Sequence, residues 1–246
     1  MPVAESRIRE IHDFVLHCFR KPSNFKSGNK GYPELIPEAM AGQSYGPRHL
    51  ITRGPVPGHA VADAKDVKRF APASPEKRKL REQARQTASV LIPKFRAKCG
   101  DDFFQYGQLM VDNGAVAGNC TDMVAVASWY ATNMDIGVCW VAVIEDPGDH
   151  VFCVITDGDP PRWDCVGQYR RDRSGDWVID PWANVYCRLR DYERDFRLKM
   201  DKWTQRGKRI RYKSRVLRVD GWAVPNSLAY LNGFLMGDLL YFTVTE

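Results

Sequence analysis

The chain lacks the features of three large protein classes. Its 246 residues include seven cysteines, an odd number, and no Cys-x-x-Cys pair. A complete set of intramolecular disulfides is therefore excluded, and we expect a reducing compartment. No run of about 18 apolar residues occurs, so no transmembrane helix is expected. The absence of a Walker loop and of a Gly-x-Gly-x-x-Gly motif gives no support to nucleotide chemistry.

The N-terminal residues contain no apolar segment, so we expect no standard secretory signal, and export by another route stays open. Hydrophobic residues make up 44% of the chain and aromatic residues 11%. This suffices for one core of about 150–200 residues with an appendage. The net charge of +6 suits an acidic partner or a membrane surface but identifies neither.

Much of the basic excess lies in one run, between residues 202 and 218. We expect a solvated helix end and a charged strand edge, because acidic residues are plentiful nearby at 191–201. Phosphate or nucleic-acid binding is the alternative. The cations are Lys202, Arg206, Lys208, Arg209, Arg211, Lys213, Arg215 and Arg218.

Two regions are expected along the chain. Residues 21–73 hold seven prolines and six glycines and keep no long periodic pattern, which predicts an extended arm or a long loop. We therefore divide the chain into an N-terminal helix and Pro/Gly-rich arm, residues 1–73, and a catalytic domain, residues 74–246.

The hydrophobic patterns predict an α+β fold in which a helix that carries Cys120 packs on a mainly antiparallel sheet. Two continuous apolar runs, at 138–144 and 150–156, flank a turn and should pair antiparallel. Helices are expected at 5–20, from Ser74 to about Lys98 with a break at Pro93, at 121–132, 187–206 and 226–235. Further strands are expected at 176–180, 215–219 and 239–244.

Three residues form a candidate catalytic set. Cys120 lies directly before a helix, whose N-terminus favours the thiolate form of a cysteine. His150 begins a strand, and Asp180 ends another. Cysteine, histidine and an orienting carboxylate are the nucleophile, the base and the orienting group of thiol enzymes that attack amide carbonyls. Asp164 and Asp176 are the alternatives to Asp180, and His59 is a weaker alternative base.

An oxyanion site would need hydrogen-bond donors beside Cys120. Its own backbone N–H is one candidate. Gln108 is the preferred side-chain donor, with Gln105 and Asn119 as alternatives. We expect no cofactor. A metal site is disfavoured because His150 and Cys153, three apart in a strand, point to opposite faces.

The segments Gly118-Asn119-Cys120, His150-Val-Phe152 and Asp180-Pro-Trp182 resemble those of papain-like and transglutaminase-like cysteine enzymes. Within that superfamily they are most similar to bacterial toxin and effector members, which include glutamine deamidases and proteases. The resemblance covers residues 103–186. It implies a papain-like core and a function for Trp182, which would shield the orienting hydrogen bond from water. Papain-type enzymes also carry a glutamine six residues before the cysteine, where this chain has Gly114.

The resemblance implies a protein substrate, which would be a host protein for an effector that reaches a host cytoplasm. Glutamine deamidation, peptide-bond hydrolysis and transglutamination share the same thioester, and the sequence does not separate them. The alternative from a different class is a non-enzymatic module in which the arm and the basic run bind an acidic partner.

Overall fold

The computed structural model describes residues 3–19, 30–31, 86–114 and 117–245. This part of the chain mixes helices with antiparallel sheet, as predicted. The helices are α1 (Glu5–Phe19), α2 (Ile92–Cys99), α3 (Phe103–Asp112), α4 (Cys120–Asn133), α5 (Tyr192–Gln205) and α6 (Leu228–Met236). The strands are β1 (Lys30–Gly31), β2 (Val138–Ile144), β3 (His150–Thr156), β4 (Trp177–Asp180), β5 (Val185–Arg188), β6 (Arg209–Ser214), β7 (Val219–Ala223) and β8 (Leu239–Thr243).

The central sheet has five strands in the order β5-β4-β3-β2-β8, and every neighbouring pair is antiparallel. The predicted pairing of β2 with β3 is confirmed, with Val138 opposite Thr156 and Ile144 opposite His150. All seven residues of β3 are buried, because both faces of this central strand are covered. A smaller sheet has the order β1-β6-β7.

One face of the central sheet is covered by α4. The Cys153 thiol donates to the carbonyl of Val124 at 3.7 Å, which joins β3 to this helix. Nine of the fourteen residues of α4 are buried. The helix therefore has no polar stripe, and its sequence is a nearly continuous apolar run. A side chain at Gly107 of α3 would overlap the backbone of Ala125, so glycine permits the two helices to approach closely.

An aromatic cluster covers the opposite face. Phe152 projects from β3 and lies 4.7 Å from Tyr192, measured between ring centroids. The rings of Phe196 in α5 and Phe234 in α6 stack in parallel at 3.6 Å. This cluster encloses the first residue of β3, His150, on the side away from α4.

Three sequence predictions are wrong. Residues 103–112 form α3, although no helix was expected there. The helix predicted over 187–206 begins at Tyr192, because Val185–Arg188 is strand β5 and Leu189–Asp191 is a 3₁₀ turn. The strand predicted at 215–219 is mostly the turn between β6 and β7. Asp146 holds that turn by accepting hydrogen bonds from Ser214 Oγ and from the amides of Arg215 and Val216.

Other predictions lie wholly or mainly outside the described residues. They include most of the Pro/Gly-rich arm, His59, and the helix start at Ser74. The described end of that helix consists of a π-helical turn, Thr87–Leu91, followed by α2, in which Pro93 occupies the first turn. No helix among the described residues is long and apolar enough to cross a membrane.

The basic run does not form one uniform surface. Arg209 is only 1% exposed, and Arg211 pairs with Asp220 across β6 and β7. The Lys208 ammonium lies 4.8 Å from the centroid of the Trp203 ring. These three cations therefore have partners within the protein.

Truncation of the aromatic cluster tests the packing. Phe196→Ala should lower the free energy of unfolding by about 3–5 kcal/mol, because it leaves a cavity opposite Phe234. The matched control is Leu198→Ala on the same helix, where the side chain is 60% exposed and the expected change is within about 0.5 kcal/mol. Urea denaturation measures both, and equal losses would contradict the described packing.

Candidate active site

Cys120 is the first residue of α4, and a capping box fixes the turn before it. The Asn119 side chain accepts from the Asp122 amide at 3.4 Å, and the Asp122 carboxylate accepts from the Asn119 amide at 2.6 Å. This arrangement satisfies backbone donors that a helix start otherwise leaves open. The capping box also fixes the backbone at Cys120, from which the thiol side chain extends.

The Asp122 carboxylate is buried, at 1% exposure, and it organises the surrounding helices. It accepts from the hydroxyl of Tyr106 in α3 and from the guanidinium of Arg96 in α2, each at 2.5 Å. A side chain at Gly118 would lie 2.5 Å from the Asp122 Cβ. Glycine at this position therefore lets the chain pass over Asp122 on its way to Cys120.

The structure brings His150 and Asp180 together. The Nε2 atom of His150 lies 2.8 Å from Oδ2 of Asp180, and the two side chains are almost wholly buried. Because Nε2 faces the carboxylate, Nδ1 is left for the thiol. Cys120 lies close enough to the His150 ring to act on its pKa through a hydrogen bond and through charge. The three predicted residues therefore meet at the N-terminal end of β3.

Further hydrogen bonds hold the Asp180 carboxylate in place. Its Oδ1 accepts from the Ala183 amide and its Oδ2 accepts from the Tyr192 hydroxyl, both at 2.9 Å. The first bond closes the turn that joins β4 to β5. Asn184 lies in that turn with a φ of 58°. This is the left-handed backbone conformation, which asparagine tolerates better than most residues. A carboxylate with three donors has little freedom to rotate away from the imidazole.

Trp182 contacts the His150 ring, with a centroid distance of 5.0 Å, and is 1% exposed. The rings of Phe196 and Phe234 lie 5.6 and 5.8 Å from His150. These side chains exclude water from the His150–Asp180 hydrogen bond. In such surroundings a charged pair interacts more strongly than it would in water.

Electrostatics favour a protonated imidazole. Burial lowers the pKa of His150, but the charge and hydrogen bond of Asp180, with a smaller contribution from Cys120, raise it to about 10. Burial likewise acts to raise the pKa of Asp180, while the charge of His150 and the hydrogen bonds from His150, Ala183 and Tyr192 lower it below its ordinary value. A buried histidine–carboxylate pair beside a cysteine is the arrangement of side chains that thiol-dependent enzymes use.

The expected side-chain oxyanion donors are not brought to the thiol by any contact among the described residues. Gln108 is exposed on α3, and Gln105 accepts from the Cys99 thiol at 3.4 Å. The Asn119 oxygen accepts in the helix cap, and no contact among the described residues brings its Nδ2 group, which would be the donor, to the thiol. The Cys120 amide remains a candidate, because a first-turn N–H has no acceptor within its helix.

Comparison of this chain with protein-family models, with curated proteins and with solved structures found no match.

The site is therefore interpreted from its geometry and chemistry. Asp164 and Asp176, the alternatives to Asp180, do not pair with His150.

All seven cysteines are free. Among the described residues, no group of three or more histidine, cysteine or acidic side chains is arranged to hold a metal ion.

Sequence reasoning missed two classes of supporting residue. The spacing of Asn119 and Asp122 is that of a capping box and offered a usable signal. Tyr192 gave no such signal, because only the packing of α5 against β4 and β5 brings its hydroxyl to Asp180. The same holds for Tyr106 and Arg96, which reach Asp122 from two other helices.

Removal of the Asp122 carboxylate tests its organising function. Asp122→Ala should lower the free energy of unfolding by about 2–4 kcal/mol, since it removes a helix cap and leaves the buried Tyr106 hydroxyl without its acceptor. Asp112→Ala, at an exposed position in α3, is the matched control, with an expected change within about 0.5 kcal/mol. Urea denaturation of both variants makes the comparison, and a similar small loss at both positions would exclude the organising function.

The raised pKa of His150 predicts a pH dependence of stability. The native state holds this proton more tightly than the unfolded state, so the stabilisation is complete below about pH 6.5 and is lost as the pH rises towards about 10. The free energy of unfolding should fall across this interval more steeply in the wild type than in His150→Gln. Urea denaturation at a series of pH values measures both slopes, and equal slopes would refute the imidazolium–carboxylate pair.

Proposed function

We propose that the protein is a thiol hydrolase that acts on amide bonds of a protein substrate through a thioester on Cys120. The observation that carries this proposal is the 2.8 Å hydrogen bond between His150 and Asp180, buried beside the Cys120 thiol. The placement of the cysteine at a helix N-terminus, the histidine at a strand start and the aspartate on the neighbouring strand further supports a papain-like core.

The reaction begins at the thiolate. Cys120 Sγ forms a bond to the carbonyl carbon of the amide, and the carbonyl π electrons move to the oxygen. When this tetrahedral intermediate collapses, the C–N bond breaks and the His150 imidazolium gives its proton to the departing ammonia or amine. The imidazole then takes a proton from water, which attacks the thioester, releases the acid and restores the thiolate.

Asp180 holds the imidazole in the orientation that both proton transfers need. Its hydrogen bond to Nε2 stabilises the imidazolium present before the leaving group departs. Trp182 keeps water from competing for that bond. Tyr192 and the Ala183 amide fix the carboxylate, so the orientation of His150 does not depend on substrate binding.

The proposed substrate class rests on the accessibility of Cys120 and His150 and on the sequence resemblance to known cysteine enzymes. Cys120 and His150 are only 5% and 3% exposed, and a side-chain carboxamide that enters end-on needs less room at such buried groups than an extended main chain. Glutamine deamidation is therefore the preferred reaction. Proteolysis and transglutamination use the same thioester and differ in the amide attacked or in the acceptor. We extend this proposal to a host protein as substrate because the sequence segments around Cys120, His150 and Asp180 resemble those of bacterial toxins and effectors.

The test is incubation of the wild type and Cys120→Ala with candidate protein substrates in ¹⁸O-labelled water, followed by peptide mass spectrometry. The wild type should introduce one ¹⁸O into new glutamate side chains, and Cys120→Ala should introduce none because it has no nucleophile. New labelled C-termini would instead identify a protease. Cross-linking to an added amine would identify a transglutaminase.

A matched control is Cys139→Ala, which removes a buried thiol on β2 that lies outside the catalytic set. It should retain activity. Products formed equally by the wild type and by Cys120→Ala would exclude a thioester at Cys120.

A further inference from the structure

The charged side chains of α5 differ between its two ends. At the start of the helix, Arg194 pairs with Asp191 at 3.1 Å and Arg197 pairs with Glu193 at 3.1 Å. In its C-terminal half, three cations have no hydrogen-bond or ion-pair partner among the described residues. They form a surface that we call the cation patch, which consists of Lys199, Lys202 and Arg206. The positive charge at this end of α5 is therefore not neutralised by the described part of the protein.

The cation patch lies around Trp203. Lys199 precedes Trp203 by four residues and Arg206 follows it by three, so both are neighbours of this residue on the helix surface. The Lys208 ammonium lies 4.8 Å from the centroid of the same ring. Burial lowers the pKa of Lys199, and the charges of Lys202 and Arg206 lower it further. Several positive charges are therefore concentrated at one indole.

Two ring contacts connect the patch to the catalytic set. The ring of Trp203 lies 5.0 Å from the ring of Trp182, measured between centroids. Trp182 in turn lies 5.0 Å from the His150 ring. An extended chain covers about 3.3 Å per residue, so a segment a few residues away from an attacked glutamine can reach the patch. One substrate molecule can thus occupy both Cys120 and the cation patch.

The size of the patch favours a short acidic segment as its ligand. The helix rises about 10 Å from Lys199 to Arg206, a length that a few neighbouring carboxylates on a peptide can match. Lipid-binding basic segments usually carry about 4–8 cations, and a protein on duplex DNA can contact about 6–10 phosphates. Trp203 is only 5% exposed, so it offers no free face on which a base could stack. A protein segment therefore fits these three cations better than a membrane or a nucleic acid.

The complementary negative charge is not supplied by the neighbouring parts of this chain. Asp201 is next to Lys202 in sequence, but adjacent residues of a helix do not face each other, and Asp201 accepts from the Asn226 amide group at 2.9 Å. The Pro/Gly-rich segment, residues 21–73, contains eight lysine and arginine residues against four aspartate and glutamate residues. We therefore expect the acidic ligand to come from another molecule.

We propose that the cation patch is a specificity-determining surface that binds an acidic segment of the substrate protein, close in sequence to the glutamine that Cys120 attacks. This inference rests on the proposed function and defines its substrate class more closely. The carboxylates of the segment pair with Lys199, Lys202 and Arg206. Exposed ion pairs of this kind are individually weak, but together they select among partners and speed their association.

Binding to Cys120→Ala tests the patch without the chemistry. The probe is a fluorescein-labelled peptide with one glutamine and a run of glutamates, compared with a peptide in which serines replace the glutamates. The acidic peptide should bind more tightly, and added salt should weaken its binding because salt screens exposed charges. Addition of Lys202→Glu and Arg206→Glu should weaken binding about tenfold or more, because two attractions become repulsions. Fluorescence anisotropy measures each affinity.

The matched control combines Arg170→Glu with Arg171→Glu. It makes the same change in net charge at two exposed arginines of a 3₁₀ turn outside the patch, and it should keep the affinity within about twofold because salt screens distant charges. A second variant, Lys202→Gln with Arg206→Gln, removes the charges without reversing them and should give an intermediate loss. It decides the result if circular dichroism shows that the reversed variant is not folded.

Equal affinities of the patch variant and its control for the acidic peptide would overturn the inference, as would equal binding of the acidic and neutral peptides. Patch-dependent binding of phosphatidylserine vesicles without binding of the acidic peptide would also overturn it, because the surface would then recognise lipid. These results leave the thioester at Cys120 unaffected. Patch-dependent peptide binding, combined with identical products from the wild type and Cys120→Ala in ¹⁸O-labelled water, would refute the proposed function and leave only the docking surface.

Discussion

The buried hydrogen bond between His150 and Asp180 is the interaction on which the rest of the site depends. Two ionisable groups removed from water are costly unless each is fully partnered. The structure meets that condition, because Asp180 accepts from His150, Tyr192 and Ala183. The aromatic cluster of α5 and α6 then covers the pair. Retaining such a pair costs desolvation energy that an apolar core would not, which favours a catalytic over a structural purpose.

A separate set of contacts positions Cys120. Asn119 and Asp122 cap α4, and Asp122 connects that cap to α2 and α3. Cys120 is thus fixed from one face of the central sheet, whereas His150 and Asp180 are held from within it and from the opposite face. The two sets of contacts meet at the N-terminal end of β3, where His150 lies. Packing of α4 on β3 therefore determines the distance between the Cys120 thiol and the His150 imidazole.

The sequence patterns predicted those parts of the site that depend on residues close together in the chain. The apolar runs of β2 and β3, the turn between them and the helix after Asn119 are visible in the sequence, and so are the three candidate residues. Helix α3 was missed because its apolar residues are interrupted by Gly107, which is explained only by the close approach of α4. Tyr192 and Arg96 were missed because they reach Asp180 and Asp122 through tertiary packing. Such contacts between residues far apart in the chain cannot be predicted from a local sequence pattern.

The central claim is that His150 and Asp180 activate Cys120, and competitive alkylation of the seven thiols tests it most directly. Exposure alone predicts that Cys18, Cys99 and Cys165 react first, because Cys120 is only 5% exposed. Activation predicts the reverse: under limiting iodoacetamide, peptide mass spectrometry should find Cys120 labelled before the other six, and His150→Ala should abolish this preference. Labelling in order of exposure in the wild type, unchanged by His150→Ala, would contradict the claim.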